Sequence, residues 1–386
     1  MITIDKPIPT VTRTTRQWIE SIHALGPEFE SRAAVSDREA LFVSENYAAL
    51  KHLEYFKVII PVDLGGGGLP YSDLCNLVRI IAQSDGATAL ASSMHQHLLS
   101  ANVWKHLKGQ DASALLTKVA KEQTILISTG ARDWLESNGE LVAVDGGYRV
   151  TAVKAFASQS TIGDMLITSA PYNDPKEGWQ VLHFPVPINS PGVCVLDDWQ
   201  TLGMRGTGSQ TVRLKDVFVP EARIALRRKR GEFHPFFNVV AACAMPLIMS
   251  AYLGIAEKSV QLAIDAASQQ KQPKAWLPGL VGEMVNELRS ASVHVKDMIR
   301  LTNNLDFKPE NQLGQEVLIR KTNAAKACIA AVTKAMEVAG GRGFYEEFGL
   351  ERRFRDVQAA KYHPLPEPEQ QQFLGEYLLG AGTLED

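Results

Sequence analysis

Cysteine is scarce in this 386-residue chain, and the four present, Cys75, Cys194, Cys243 and Cys328, stand far apart. They form neither a CxxC pair nor a disulfide-like framework, which excludes a small stapled domain and points to a reducing compartment with buried, unremarkable thiols. Charge is equally slight, a formal net of -3 with no long basic block. That argues against nucleic acid as the main partner, because phosphate binding needs concentrated Lys and Arg. One short exception, Arg227-Arg228-Lys229-Arg230, reads as a solvated loop, with contact to a phosphate-bearing ligand as the second reading. The N-terminal MITIDKPIPTVTRTTRQW has no apolar leader and no run approaches eighteen apolar residues, so the expectation is a cytoplasmic protein with no membrane anchor. Internal repeats, low-complexity segments, a nucleophile elbow, a P-loop, zinc-ligand spacing and a dinucleotide fingerprint after a strand are all missing.

What the chain does have is core material. At 45% hydrophobic residues its length supports two or three domains. From Thr14 to about Lys121 apolar residues recur at spacings of three and four, as in Leu74–Ala82 and Ala89–Trp104, the period of amphipathic helices. Ile59 to Gly68 interrupts them as a loop. From Ile125 to Val219 the texture changes to short β-rich runs, among them Ile125–Ser128, Tyr148–Val153, Met165–Ser169 and Val181–Val186, separated by Gly, Pro, Asn and Asp. Long helical patterns return at Val239–Gln269, Leu280–Leu305, Gln315–Val338 and Pro368–Leu379, a four-helix bundle whose apolar faces favour a homotetramer or homodimer. The expected partition is 1–121 helical, 122–235 β and 236–386 helical.

Two glycine-punctuated motifs stand out. TLGMRGTGSQTVRLKDVFVP (Thr201–Pro220) runs from a turn into an alternating strand, with Gly203, Gly206 and Gly208 permitting close approach to something bulky. Downstream, Gly340-Gly341-Arg342-Gly343-Phe344 is followed by Glu351-Arg352-Arg353-Phe354-Arg355-Asp356, glycines and then a charged helix start, a plausible anion or cofactor edge.

These motifs, in this order and across nearly the whole chain, resemble the acyl-CoA dehydrogenase superfamily of flavoenzymes. The carriers of the resemblance are Gly203-Met204-Arg205-Gly206, Asp216–Pro220, Gly340–Phe344 and Arg355-Asp356. It implies an α+β fold with a helical N-terminal domain, a central β-barrel-like domain and a C-terminal four-helix bundle. It also implies a flavin, FAD first and FMN second. Ser128, Thr129 and Gly130 lie where the family lines the flavin. Phe156 and Ser158, in Lys154–Ser158, supply the aromatic beside the ring and the hydroxyl near its N5 and O4. The resemblance further assigns Gly340, Gly341, Gly343 and Phe344 to the dinucleotide. The family's pyrophosphate arginine has no counterpart in Gln269–Lys274, where Lys271 or Lys274 would substitute as a point charge rather than a fork.

The implied reaction is α,β-dehydrogenation of a CoA thioester, with electrons passed to an electron-transfer flavoprotein. It needs a carboxylate base opposite the flavin. Most members carry a glutamate at the position held here by Pro364, and others carry the base on the first long bundle helix, here Ala244, beside Met245 where an arginine is usual. Three readings follow. Glu367 reaches the same point from a shifted Pro-rich loop; His363 serves instead, as in oxygenating relatives such as dibenzothiophene monooxygenase, which use reduced flavin supplied by a reductase together with molecular oxygen; or both residues are ordinary loop side chains. His95 and His97 lie on a helix expected to face the substrate, and a spacing of two keeps them from sharing a metal ion. His97, Arg205 and Met245 are the expected substrate contacts.

Overall fold

The computed structural model describes residues 13–130, 134–270 and 274–380. Among the described residues five α-helices come first: α1 (Thr15–Glu39), α2 (Ser44–His52), α3 (Tyr71–Ser84), α4 (Gly86–Leu107) and α5 (Ser113–Glu122). Their starts are written locally. Thr14 and Gln17 close a reciprocal capping box on α1, and the Asp85 carboxylate accepts from the free N–H groups of Ala87 and Thr88 at the head of α4. Between α2 and α3 the chain folds back on itself so tightly that a Cβ on Gly66 would lie 2.1 Å from the Ile60 carbonyl oxygen.

Eight strands follow: β1 (Leu126–Ser128), β2 (Glu140–Val144), β3 (Gly147–Ala157), β4 (Met165–Asp174), β5 (Gly178–Pro187), β6 (Val193–Val195), β7 (Gln210–Pro220) and β8 (Leu226–Lys229). They form two four-stranded sheets, ordered β1-β4-β5-β8 and β2-β3-β7-β6. Among the described residues only β1 and β4 pair in parallel. Inward side chains such as Val150, Leu166, Phe184, Leu214 and Val217 make their shared core, the alternation that the pleat demands of two packed faces.

The C-terminal part holds α6 (Phe236–Ser268), α7 (Leu277–Leu301) and α8 (Asn311–Ala339), packed on one another, with the shorter α9 (Leu350–Val357) and α10 (Glu367–Leu379) behind them. Helices α3 and α4 pack on α6, so one hydrophobic core joins the two helical parts. Helix α6 corrects the hydropathy reading. An 18-residue window of it has a mean hydropathy of 2.0, enough by composition to cross a bilayer, yet 94% of that window is buried inside the protein. It is the central core helix. Pro246 within it has no N–H to donate to the Ala242 carbonyl, and the Tyr71 hydroxyl takes that place, 3.3 Å from the Ala242 oxygen and 2.8 Å from that of Cys243.

The basic run is also corrected. Arg227 and Arg228 are strand residues of β8, not a solvated loop, and Arg228 is buried, donating to the Leu135 carbonyl at 2.7 Å. Arg230 pairs with Glu136. Three of the cysteines are buried as expected; Cys194 is exposed.

Candidate active site

The first glycine motif and the charged run that follows the second, about 150 residues apart, meet in space. A Cβ on Gly203 would lie 2.4 Å from the Arg355 backbone, and the Met204 N–H donates to the Asp356 carboxylate. Burial lifts that carboxyl to about 6, against the opposing pull of Arg352. Arg205 donates to the Asp37 carbonyl at 2.6 Å and to Thr201 and Arg38. Its guanidinium is thereby committed to the C-terminal end of α1, whose free carbonyls need donors.

From this clasp a string of hydroxyls runs into the β-domain. The Thr207 hydroxyl bonds the Met204 carbonyl at 2.9 Å, Ser209 lies 2.7 Å from Thr207, and Ser158 lies 2.7 Å from Ser209. Ser158 sits just past the end of β3, where the pairing with β7 slips between Lys154 and Ala157. The bulge puts Phe156 at φ 58 and Gln159 at φ 60. A bulky residue at positive φ is strained and is kept only where the surroundings require it. Here the outcome is an aromatic ring 47% exposed, edge-on to Trp199 at 5.9 Å. Gln159 anchors the bulge by donating to the Leu126 carbonyl and accepting from Tyr47. Next to it in the β1–β4 sheet, the Thr129 hydroxyl bonds that of Thr168 at 2.8 Å. Beyond it, a Cβ on Gly130 would meet nothing within 4 Å.

A second cluster lies on the helical side. The Tyr252 hydroxyl of α6 and Nε2 of His363 are 2.7 Å apart. Burial, with Lys321 nearby, holds this imidazole down to about 3, so it is neutral at ordinary pH. The Lys321 amine donates to the Leu365 carbonyl at 2.6 Å and is itself lowered to about 8 by burial. Glu367 opens α10 and pairs with Lys326 at 2.8 Å, its carboxylate also accepting from Gln371. Met245 and Ala244 are buried in α6. Sequence reasoning missed Tyr252, Lys321 and Ser209. The first two carry a faint signal, a lone tyrosine in an apolar run and a lysine on a helix face otherwise apolar.

On α4 the two histidines separate. His95 accepts from the Leu126 N–H through Nδ1 and therefore donates from Nε2 to the Phe56 carbonyl, a fixed neutral tautomer lowered to about 4 by burial. It ties α4 to β1. The Nδ1 of His97 lies 3.3 Å from the Ser93 carbonyl, and burial lowers its pKa to about 4 as well. At the far end of α8, Gly340 and Gly341 are open, so that a Cβ on either would meet nothing within 4 Å. Gly343 is packed against Ala339 and Leu350, and Phe344 is 82% exposed. Lys274 lies over the Trp276 ring, and Lys271 falls outside the described residues.

A strained aromatic presented beside buried hydroxyls, under a helical–sheet–helical fold, defines the flavin-dependent oxidoreductases of one architecture. The exposed Phe156 face and the hydroxyls of Ser158 and Thr129 fit a planar, hydrogen-bonding ring system. The chain belongs to the acyl-CoA dehydrogenase superfamily: the family models "Acyl-CoA dehydrogenase, N-terminal domain" and "Acyl-CoA dehydrogenase, C-terminal domain" match residues 14–123 and 247–367. Its relatives divide. The Bacillus subtilis (strain 168) protein YdbM, which carries an acyl-CoA dehydrogenase name, is 26% identical over 90% of this chain and 93% of its own. The dibenzothiophene monooxygenase of Mycolicibacterium goodii is 24% identical over 92% and 90%. The solved structure of KijD3 in complex with FMN and dTDP-3-amino-2,3,6-trideoxy-4-keto-3-methyl-D-glucose superposes with a TM-score of 0.85 at 22% identity, covering 98% of this chain and 96% of that one.

Proposed function

We propose that this protein is a two-component monooxygenase that takes reduced FMN from a flavin reductase and inserts one atom of dioxygen into a small neutral substrate. The observation that carries the proposal is the loop after α9. The place of the dehydrogenase base is Pro364. The nearest carboxylate in sequence, Glu367, is held by Lys326. The ionisable group turned inward there is a partly buried, neutral imidazole against a tyrosine hydroxyl. α-Proton abstraction needs a free carboxylate at this point, and the carboxylate nearest in sequence is tied to Lys326.

The flavin, when bound, would supply the two electrons that reduce the second oxygen atom to water. The chain's own residues do the rest. Phe156 covers one face of the site and excludes water; Ser158, held by Ser209, presents a hydroxyl; and Tyr252 with His363 forms a neutral donor pair able to hold a proton without placing charge in an apolar site. FMN is preferred over FAD because the family's pyrophosphate arginine has no counterpart in Gln269–Lys274, and KijD3 was solved with FMN. The exposed Phe344 and Tyr345 beside the open Gly340–Gly341 turn support a second subunit closing that end. The deciding experiment is turnover under 18O2 with chemically reduced FMN and a panel of aromatic, sulfur and thioester compounds. A labelled product supports the oxygenase. Anaerobic bleaching of bound flavin by an acyl-CoA, with no label incorporated into any compound, would return the protein to the dehydrogenases.

A further inference from the structure

We infer that Lys321 is a positioning residue that holds His363 in place against Tyr252. Lys321 lies on α8 with 1% of its surface exposed, and its amine donates at 2.6 Å to the carbonyl of Leu365, two residues past His363. The segment it grips is short of donors of its own. Between the 3₁₀ turn Gln358–Tyr362 and α10 run His363-Pro364-Leu365-Pro366, and neither proline has an N–H to give. Two side-chain bonds from the bundle fix the segment instead, Tyr252 of α6 on His363 and Lys321 of α8 on Leu365. Helices α6 and α8 pack along one another, so both anchors stand on one helix pair and the imidazole is set relative to it.

A neutral donor would suffice for a clamp alone. Burying an ammonium costs far more than burying a carboxamide or a hydroxyl, and this one has little to offset it. It carries three N–H groups, yet among the described residues it makes one hydrogen bond, to a carbonyl. The carboxylates that act on it, Glu367 and Glu369, belong to α10, and Glu367 is itself tied to Lys326. The charge has a use at the imidazole. Around His363 stand the Tyr252 hydroxyl from α6 and Lys321 from α8, while Asp356 of α9 acts on the tyrosine. Like charge makes an imidazolium beside Lys321 unfavourable, so the pair stays neutral with no counter-ion in an apolar site. Burial brings the amine down to about 8. The charge is therefore present at neutral pH, and as the pH rises through 8 the bond to Leu365 loses its charge assistance.

The test reads the imidazole directly, whichever reaction the flavin performs. Full-length protein with 13C,15N-labelled histidine is followed by NMR across the alkaline range, the His363 signal being assigned by its loss in His363→Gln. In the wild type the ring is expected to hold one tautomer, and its shifts to step with a midpoint of about 8 as Lys321 titrates, where the imidazole itself does not. The step vanishes in Lys321→Gln and Lys321→Met, and in Lys321→Arg it is absent below about pH 10 because the guanidinium keeps its charge. Lys321→Met, with neither charge nor donor, also lets the ring populate both tautomers. A lysine that only fills space would leave the His363 signals unchanged. Flat wild-type shifts through that range, a step that survives in Lys321→Gln or Lys321→Met, or a single tautomer in Lys321→Met would overturn the inference. If Lys321→Met fails to fold, the wild-type step and its loss in Lys321→Gln still decide. A turnover arm rests on the oxygenase reading: Lys321→Met lowers kcat for 18O incorporation by about tenfold and leaves KM within about twofold. Wild-type protein that incorporates no label would count against the oxygenase, while the histidine signals still judge Lys321.

Discussion

The Tyr252 hydroxyl lies 2.7 Å from Nε2 of His363, joining the middle of the most apolar helix to the loop that follows α9. Tyr252 is buried and His363 partly so, and both are held neutral, the phenol raised well above its ordinary value by desolvation and the imidazole lowered to about 3. A pair of this kind passes a proton without creating a buried ion. On the oxygenase reading, His363→Ala lowers 18O incorporation by about a hundredfold, and Tyr252→Phe lowers it by about tenfold. FMN affinity, measured by fluorescence titration, changes by less than about threefold in both. Wild-type incorporation in His363→Ala would remove His363 from the chemistry.

Ser158 leans on Ser209, which leans on Thr207. Ser158→Ala therefore removes the hydroxyl offered to the ring, while Ser209→Ala leaves it in place with its orientation unfixed. A single neutral hydrogen bond is worth about 0.5–1.5 kcal/mol. FMN binding weakens by about two- to tenfold in Ser158→Ala and by less in Ser209→Ala. The reverse order would show that Ser209, not Ser158, contacts the cofactor.

Four histidines, His95 and His97 buried and His183 and His363 partly so, set the acid limit of the fold. Burial holds His95 and His97 to about 4, and His183 and His363 to about 3. Each stays neutral in the folded chain and gains a proton more readily in the unfolded one. Their contribution to stability is complete above the unfolded value near 6.5 and drains away as the pH falls toward 4. Asp356 opposes them: raised to about 6, it favours the folded state increasingly as the pH falls from about 6 to 3.8. Four groups outweigh one, so the melting temperature, followed by circular dichroism, drops by several degrees between pH 6.5 and pH 4.5. A rise over that interval would show that Asp356 dominates.

Much of this fold is written in local pattern. Alternation in Val212–Val219 and Tyr148–Val153 marks β7 and β3, and the 3.6-residue period marks α6, α7 and α8. What failed to show was decided by residues distant in sequence. Arg228 looks solvated in a basic run, and is buried because the Leu135 carbonyl, 93 positions away, accepts from it. Tyr252 looks like core because its partner is 111 positions away. The hydrophobic run of α6 does not reveal whether lipid or protein surrounds it. The glycine motifs were legible as motifs, but the contact of the first, through Gly203, with Arg355 in the charged run was not.

Gly314 is a test of the packing between the starts of α6 and α8. A methyl group there would meet the Asn238 side chain at 2.1 Å, and Asn238 cannot retreat without breaking its bonds to Pro309 and Asn311. Overpacking of this kind costs about 1–3 kcal/mol, which outweighs the better helix propensity of alanine at an interior position. Gly314→Ala is expected to lower the midpoint of urea unfolding with an unchanged slope. An equal or higher midpoint would mean that Asn238 moves freely.

Glu367 separates the two reactions most cleanly. Its carboxylate pairs with Lys326 at the head of α10, at 39% side-chain exposure, and accepts from Gln371 one turn on. An ion pair so open to water contributes about 0–1 kcal/mol, so Glu367→Gln alters stability little. If the site works without a carboxylate base, Glu367→Gln also retains at least about half of the wild-type rate of oxygen incorporation. If instead the loop shifts on binding to bring Glu367 over the substrate, the same change abolishes turnover by about a thousandfold or more while flavin affinity holds, as expected for loss of a general base. Lys326→Met provides the control. It frees the Glu367 carboxylate without removing it, and so leaves an oxygenase unchanged, whereas a dehydrogenase that must break this pair in each cycle speeds up.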